Sequence, residues 1–161
     1  MREWYLLAHN SKLTQSLVTE MARLDVEVFC PVRISLRKRP DRPSPQRREL
    51  VLFPGYLFLK FDPEEVHTSV ITGFSGAHRF IAFANKIATV PEAVIDDLRV
   101  ALRLQTNRTA SVVEYQNLSS ETAKALHLII EMQSEQQRKV ALYSLLEQQR
   151  IYGARSTLRD S

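Results

Sequence analysis

Glycine is scarce in this chain. It occurs only at positions 55, 73, 76 and 153, so residues 77–152 contain none. A small β-barrel needs several tight turns, and glycine supplies their positive φ angles without steric cost. Cysteine is scarcer still: Cys30 stands alone, so no internal disulfide can form. Its place after "EVF" reads as a small buried hydrophobe in a strand, in keeping with a reducing cytoplasm. No apolar run reaches the length of a signal-peptide core or membrane span, because the opening "MREWYLLAHN" turns polar too early; the expectation is a cytoplasmic protein with no membrane partner. Also missing are a glycine-rich phosphate loop, Cys/His metal spacing and paired carboxylates in a recognisable setting. His67-Thr68-Ser69 brings a His and a Ser together, but chain neighbours rarely form a triad and no acid partner is indicated. Asp96 and Asp97 are adjacent on a helix and face different ways. The expectation is therefore a non-enzyme without cofactor or metal.

What is present fits an ordinary soluble domain, or one domain of about a hundred residues with a small appendage. The 161 residues are 44% hydrophobic and 25% charged, with a net charge of +4. That charge makes nucleic acid a candidate partner without establishing it.

Along the chain, "EWYLLAH" (3–9) reads as a buried strand. Residues 11–24 carry Leu13, Leu17, Met21 and Leu24 at helical spacing, with Ser11 as N-cap. "VEVFCPV" (26–32) returns to strand character. Residues 33–48 then break the pattern: seven of sixteen are Arg or Lys, one is acidic and three are proline. Such a segment buries little and suits an exposed arm or long hairpin. "LFPGYLFLKFD" (52–62) reads as a strand with Tyr56, Phe58 and Lys60 on one face and Leu57, Leu59 and Phe61 on the other. Both faces are apolar for most of its length, so something must cover each. A short turn or helix and a glycine-bearing loop follow, then a strand "HRFIAF" (78–83) and a helix over 90–104 with Val94, Leu98 and Ala101 as its stripe. The order predicts a four-stranded sheet backed by helices, with a polar linker near 105–111. Residues 119–132 and 135–150 fit two helices, with Leu126, Ile129 and Ile130, and then Leu142, Leu145, Leu146 and Gln149, each sharing a face. "LHLIIEM" and "KVALYSLL" also pass as short strands; the absence of glycine favours a helical hairpin over a barrel.

"WYLL" (4–7), Pro31, "LFPGYLFLKFD" (52–62), "HTSVI" (67–71), "HRFIAF" (78–83) and "VPEAVIDDL" (90–98), in that order and spacing, resemble the NusG family of transcription elongation factors. The resemblance is closest to its specialised RfaH-like paralogues, the plasmid-borne ActX type among them. It covers about the first hundred residues and continues faintly in "RKVALYSLLEQQRI" (138–151). It implies an α+β fold: a NusG-type N-terminal domain over 1–102 with a four-stranded antiparallel sheet flanked by helices, a linker over 103–112, and a C-terminal domain over 113–161. That last domain would be an α-helical hairpin or, alternatively, a small KOW-like β-barrel; "EYQNLSSETAK" (114–124) stands where a KOW segment has its glycine-rich turn.

The resemblance also implies a transcription elongation and antitermination factor that bridges the polymerase cleft and suppresses pausing and termination. Phe53, Tyr56 and Phe58 would grip the clamp coiled coil of bacterial RNA polymerase. His67, Thr68 and Ser69 would touch the gate loop. Asn10, Lys12 and Gln15, with Arg37, Lys38, Arg39 and Arg47 of the basic arm, would contact non-template or upstream DNA. The neighbouring Leu13, Ser16 and Glu20, and "TGFSG" at 72–76, depart from the family's DNA-reading pattern, which points to weak sequence preference. Ile129, Arg138, Leu142, Leu145 and Leu146 would hold the C-terminal domain against the first, with a Glu49–Arg138 pair assisting and autoinhibition as the result. The implied protein is a monomer, with the ribosome as a further partner of its C-terminal domain. The alternative reading is an RNA-binding module using an aromatic-bearing sheet and a basic loop.

Overall fold

The computed structural model describes residues 1–37, 39–106 and 121–159. Lys38 and the segment 107–120, which holds most of the expected linker and the start of the expected second domain, lie outside the described residues.

The centre of the molecule is β1 (Glu3–His9), whose residues Trp4 to Leu7 are all buried, as expected for a strand covered on both faces. It pairs antiparallel with β5 (Tyr56–Phe61), with Leu6 opposite Phe58 and Leu7 opposite Leu57. β2 (Glu27–Phe29) lies outside β5, and β6 (Ala77–Phe80) flanks β1 on its other side. A short β9 (Thr89–Val90) also pairs with β1, through Thr89 and Val90 opposite Tyr5 and Trp4. The sheet thus has five strands, not four. A two-residue strand has no periodicity to read, which is why β9 escaped the pattern.

Alternation along β1 and β5 feeds two separate cores. One holds Tyr5, Leu7, Leu57, Leu59, Phe61 and Phe80, sealed by Leu17 and Met21 of α1 (Thr14–Arg23) and Ile71 of α2 (Thr68–Thr72). The other holds Trp4, Leu6, Phe53 and Phe58. It is sealed by α3 (Glu92–Thr106) and by α4 (Glu121–Glu131) and α5 (Glu135–Arg159). Residues 121–131 and 135–159 are therefore helical, and α5 runs beyond residue 150. Ser134 opens α5 by accepting the amide of Gln137 on its hydroxyl at 3.3 Å.

Local chemistry corrects several boundaries. Ser11 is not the helix cap: Asn10 accepts the Lys12 amide at 3.0 Å and starts a single 3₁₀ turn (Ser11–Leu13) ahead of α1. The strand expected over 26–32 breaks after Phe29, since Pro31 has no amide to give a ladder. Cys30 accordingly sits half-buried outside β2. The basic arm is a long hairpin, β3 (Val32–Arg37) and β4 (Gln46–Val51), paired from Val32–Val51 to Arg37–Gln46. Residues 52–55 form a turn rather than strand, closed by the Tyr56 amide on the Phe53 carbonyl at 3.1 Å. The single strand expected at 78–83 is split at Ile81, and β7 (Ala82–Phe83) turns back into β8 (Lys86–Ile87) through Ala84 and Asn85. Both turn residues have positive φ, 52° and 64°, a hairpin geometry usually signalled by Asn-Gly and hidden here by Ala-Asn.

Two glycines tie down the end of β1. The carbonyl of Gly55 accepts the His9 amide and that of Gly76 the Asn10 amide, each at 2.8 Å. Both have positive φ, and a Cβ on Gly76 would lie 2.8 Å from Leu13 Cβ. Gly76→Ala should therefore cost about 1–3 kcal/mol of stability. A thermal melt checks this; an unchanged midpoint would show that the turn relaxes freely.

Candidate functional site

The aromatic stretch at 52–62 meets its second cover in α4 and α5. Phe53 and Phe58 are completely buried, edge-on with ring centroids 6.4 Å apart, and Phe29 packs 5.9 Å from Phe58. Tyr56 lies at the margin of this face, half-buried. Its ring meets Tyr143 of α5 edge-on at 5.7 Å, the Tyr143 hydroxyl donates to the Tyr56 hydroxyl, and Lys139 Nζ sits 5.5 Å over the Tyr56 ring. Burial, reinforced by that hydrogen bond, pushes the Tyr143 phenol far above its ordinary range, so Tyr143 keeps its proton and stays a donor at neutral pH. Ile129, Leu142, Leu145 and Leu146 are buried in the same core.

Arg138 is only 4% exposed. Its Nε donates to the Leu52 carbonyl at 2.8 Å, and its Nη1 to the carbonyls of Met132 at 2.7 Å and Gln133 at 3.3 Å. Those last two lie just past α4, in the turn before α5. Arg33, at the root of the basic hairpin, donates at 3.0 Å to the carbonyl of Ile130, in the last turn of α4, where helical carbonyls lack internal partners. Burial first, and then the Arg33 charge, lower the Arg138 guanidinium from its usual value. Glu49 is not its partner: it is exposed on β4 opposite Ile34, and among the described residues Arg138 makes no ion pair. Backbone carbonyls occupy the guanidinium instead. Nothing in side-chain spacing signals such a partner, because every residue carries a carbonyl.

The far end of this face is also tied. Trp4 Nε1 donates to Glu92 Oε2 at 2.9 Å, Lys60 Nζ reaches the same oxygen at 3.2 Å, and Arg99 lies 5.8 Å over the Trp4 ring. Glu92 thus fastens α3 to the sheet, a role that its place in the first helical turn did not disclose.

His67, Thr68 and Ser69 lie at the start of α2, on the opposite side of the sheet from Phe53 and Phe58. His67 caps the helix: Nδ1 accepts the Ser69 amide at 3.1 Å and lies 2.7 Å from Ser69 Oγ. His67 and Ser69 remain exposed. Asn10, Lys12 and Gln15 are exposed around the turn that opens α1, and beneath them His9 is buried with Nε2 2.7 Å from Thr14 Oγ1. Burial, above all other effects, lowers the His9 pKa, which keeps the ring neutral at neutral pH. Arg37 is the last residue of β3, Arg39 follows half-buried, and Arg47 is exposed on β4. The arm cations thus stand on a ribbon separate from the main sheet.

Among the described residues no group of three or more His, Cys, Asp or Glu side chains converges, and no helix is long and apolar enough to cross a membrane. The family model described as NusG, transcription termination factor NusG, matches residues 2–99. That match spans β1 to most of α3 and so includes the aromatic strand, the His67 cap and the basic hairpin. The chain belongs to the NusG family, whose members are transcription factors that act in elongation and termination and interact with RNA polymerase.

Proposed function

We propose that the chain is a specialised, RfaH-like elongation and antitermination factor, autoinhibited by its own C-terminal helices. The observation that carries this reading is the burial of Phe53 and Phe58 beneath α4 and α5, with Tyr56 held by Tyr143. Rigid aromatics bury large areas at small entropic cost and serve as interface hot spots, so a face built from them and covered by a terminal hairpin suits alternate covers. In the open form Phe53, Tyr56 and Phe58 grip the clamp coiled coil of bacterial RNA polymerase. His67, Thr68 and Ser69 contact the gate loop across the cleft. The placement of these two groups on opposite sides of the sheet supports such a bridge, which keeps the enzyme closed around DNA and suppresses pausing.

Asn10, Lys12 and Gln15, with Arg37, Lys38, Arg39 and Arg47, contact DNA phosphates with little sequence preference and strong salt dependence. Residues 1–102 form the polymerase-binding unit and 113–161 the removable cover, joined by 103–112. Ile129, Arg138, Leu142, Leu145 and Leu146 are its holding contacts.

The test compares the full chain with Leu145→Glu, which puts a carboxylate into the hairpin contact, for binding to a reconstituted bacterial elongation complex. The opened variant should bind at least about tenfold more tightly, a difference of about 1.4 kcal/mol. Adding Tyr56→Ala should remove the gain. Equal binding by both chains would eliminate the gate while leaving polymerase binding intact. No binding by either would sink the clamp reading, and capture of single-stranded RNA by the opened variant would favour the RNA-binding alternative.

A further inference from the structure

The β3–β4 ribbon has two unlike faces, set by its register. Val32 is opposite Val51, Ile34 opposite Glu49 and Leu36 opposite Arg47, which puts Val32, Val51, Ile34, Glu49 and Arg47 on one side and Arg33, Leu50 and Arg48 on the other. The side carrying Val32 and Ile34 borders α3 across an open groove of about 910 Å³. That volume is at the upper end of the ~300–1,000 Å³ of ligand clefts. The floor is aliphatic, with Pro31, Val32 and Ile34 from the ribbon and Val100 and Leu102 from the helix. Val32 and Val51 are 36% and 41% exposed.

Charge lines both walls. Arg47 stands on the ribbon and Arg99 and Arg103 on α3, and among the described residues Asp96 is the one acid of the lining. Arg99 is engaged, 3.6 Å from Glu27 and 5.0 Å over the Phe29 ring. Among the described residues neither Arg47 nor Arg103 has an ion-pair partner.

We propose that this groove docks an acidic, amphipathic peptide segment of a partner protein. Its apolar side chains rest on Pro31, Val32 and Ile34, and its carboxylates bridge Arg47 and Arg103 from opposite walls. With Arg99 paired to Glu27, Arg47 and Arg103 are the two guanidiniums left to select an acidic partner, and arginine is the cation that pairs with carboxylates bidentately. The aliphatic floor selects apolar side chains. A DNA phosphate can pair with Arg47, but a nucleic-acid strand does not fill the groove, because its bases need open ring faces. Among the described residues the one ring lining the groove, Phe29, is covered by Arg99 and packed against Trp4 and Phe58. The groove is open while α4 and α5 cover the aromatic face, so its occupation requires no release of the hairpin and does not rest on the polymerase reading.

Cys30 lines the groove and is the only thiol in the chain, so its rate of reaction with a disulfide reagent such as DTNB reports on this site alone. The probes are two designed peptides of about fourteen residues with leucine at helical spacing, one filled with glutamate and one with lysine, and an oligo(dT) of similar length. The glutamate peptide at saturation should slow Cys30 modification in the full chain by about fivefold or more, while the lysine peptide and the oligonucleotide leave it unchanged. The double reversal Arg47→Glu and Arg103→Glu, at exposed positions that leave the melting temperature unmoved, should weaken the glutamate peptide about tenfold or more and make the lysine peptide protective. Absence of protection by the glutamate peptide, equal protection by both peptides, protection by oligo(dT) alone, or indifference to the reversal would each overturn the proposal.

Discussion

Phe58→Ala should lower the unfolding free energy of the full chain by about 3–5 kcal/mol. The ring is completely buried and is wedged among Phe29, Phe53 and the side chains that α3, α4 and α5 bring down onto the sheet. Truncation removes both its transfer free energy and its contacts. The resulting hole is bounded below by a hydrogen-bonded strand that cannot move inward, so only the helices can collapse into it. Against a total stability of about 5–15 kcal/mol, such a loss places the variant near its unfolding threshold. Urea denaturation checks this: the midpoint should fall with the slope unchanged. A loss below about 1.5 kcal/mol, the level of a well-tolerated core swap, would mean that the helical cover settles onto the sheet without strain.

Arg138→Met should cost about 2–4 kcal/mol, concentrated in α4 and α5. The substitution keeps the apolar stem but leaves the carbonyls of Leu52, Met132 and Gln133 without their charged donor. Bonds to charged groups contribute about 1.5–3 kcal/mol each, and part of that loss is offset because the buried guanidinium no longer has to be desolvated. Hydrogen exchange locates the effect: amides of α4 and α5 should lose protection before those of β1 and β5. Arg138→Lys should recover only part of it, since a point charge cannot serve three carbonyls in a fork. Glu49→Gln, by contrast, should change stability by less than about 0.5 kcal/mol, as an exposed charge with no partner at Arg138. A larger effect of Glu49→Gln would restore the pairing inferred from resemblance.

The two-sided character of β5 was legible in the alternation of Tyr56, Phe58 and Lys60 with Leu57, Leu59 and Phe61. The structure resolves it into two cores, one on each face of the sheet. The helices were legible too: α1 from an apolar stripe over three turns, and α3, α4 and α5 from shorter stripes helped by the absence of glycine from residues 77–152. What escaped has physical reasons. β7, β8 and β9 are two residues long and carry no period. Pro31 forces a break in the strand expected over 26–32, but its place after Phe29 depends on where the chain leaves the sheet. At the site, spacing could mark Arg138 as a buried-face arginine of α5 but not name its acceptors. Tyr143 and Arg33, which fasten the cover at its margin and its root, carried no signal of that role: Tyr143 is not in the Leu142, Leu145, Leu146 stripe, and Arg33 is one of many arginines in the arm.

The two faces of the sheet are also sealed at different moments in the life of the chain. Everything that covers Leu57 and Leu59 has been synthesised by Phe80, and these contacts can form as soon as the first half emerges. Phe53 and Phe58 gain α3 by Ala101 but wait for Leu146, about 45 residues later, before their cover is complete. At roughly 5–20 residues per second, translation leaves about two to nine seconds in which a nascent chain holds a finished sheet with one aromatic side bare. Each new molecule therefore passes through an uncovered form once, at birth, before its own C-terminus arrives to close it.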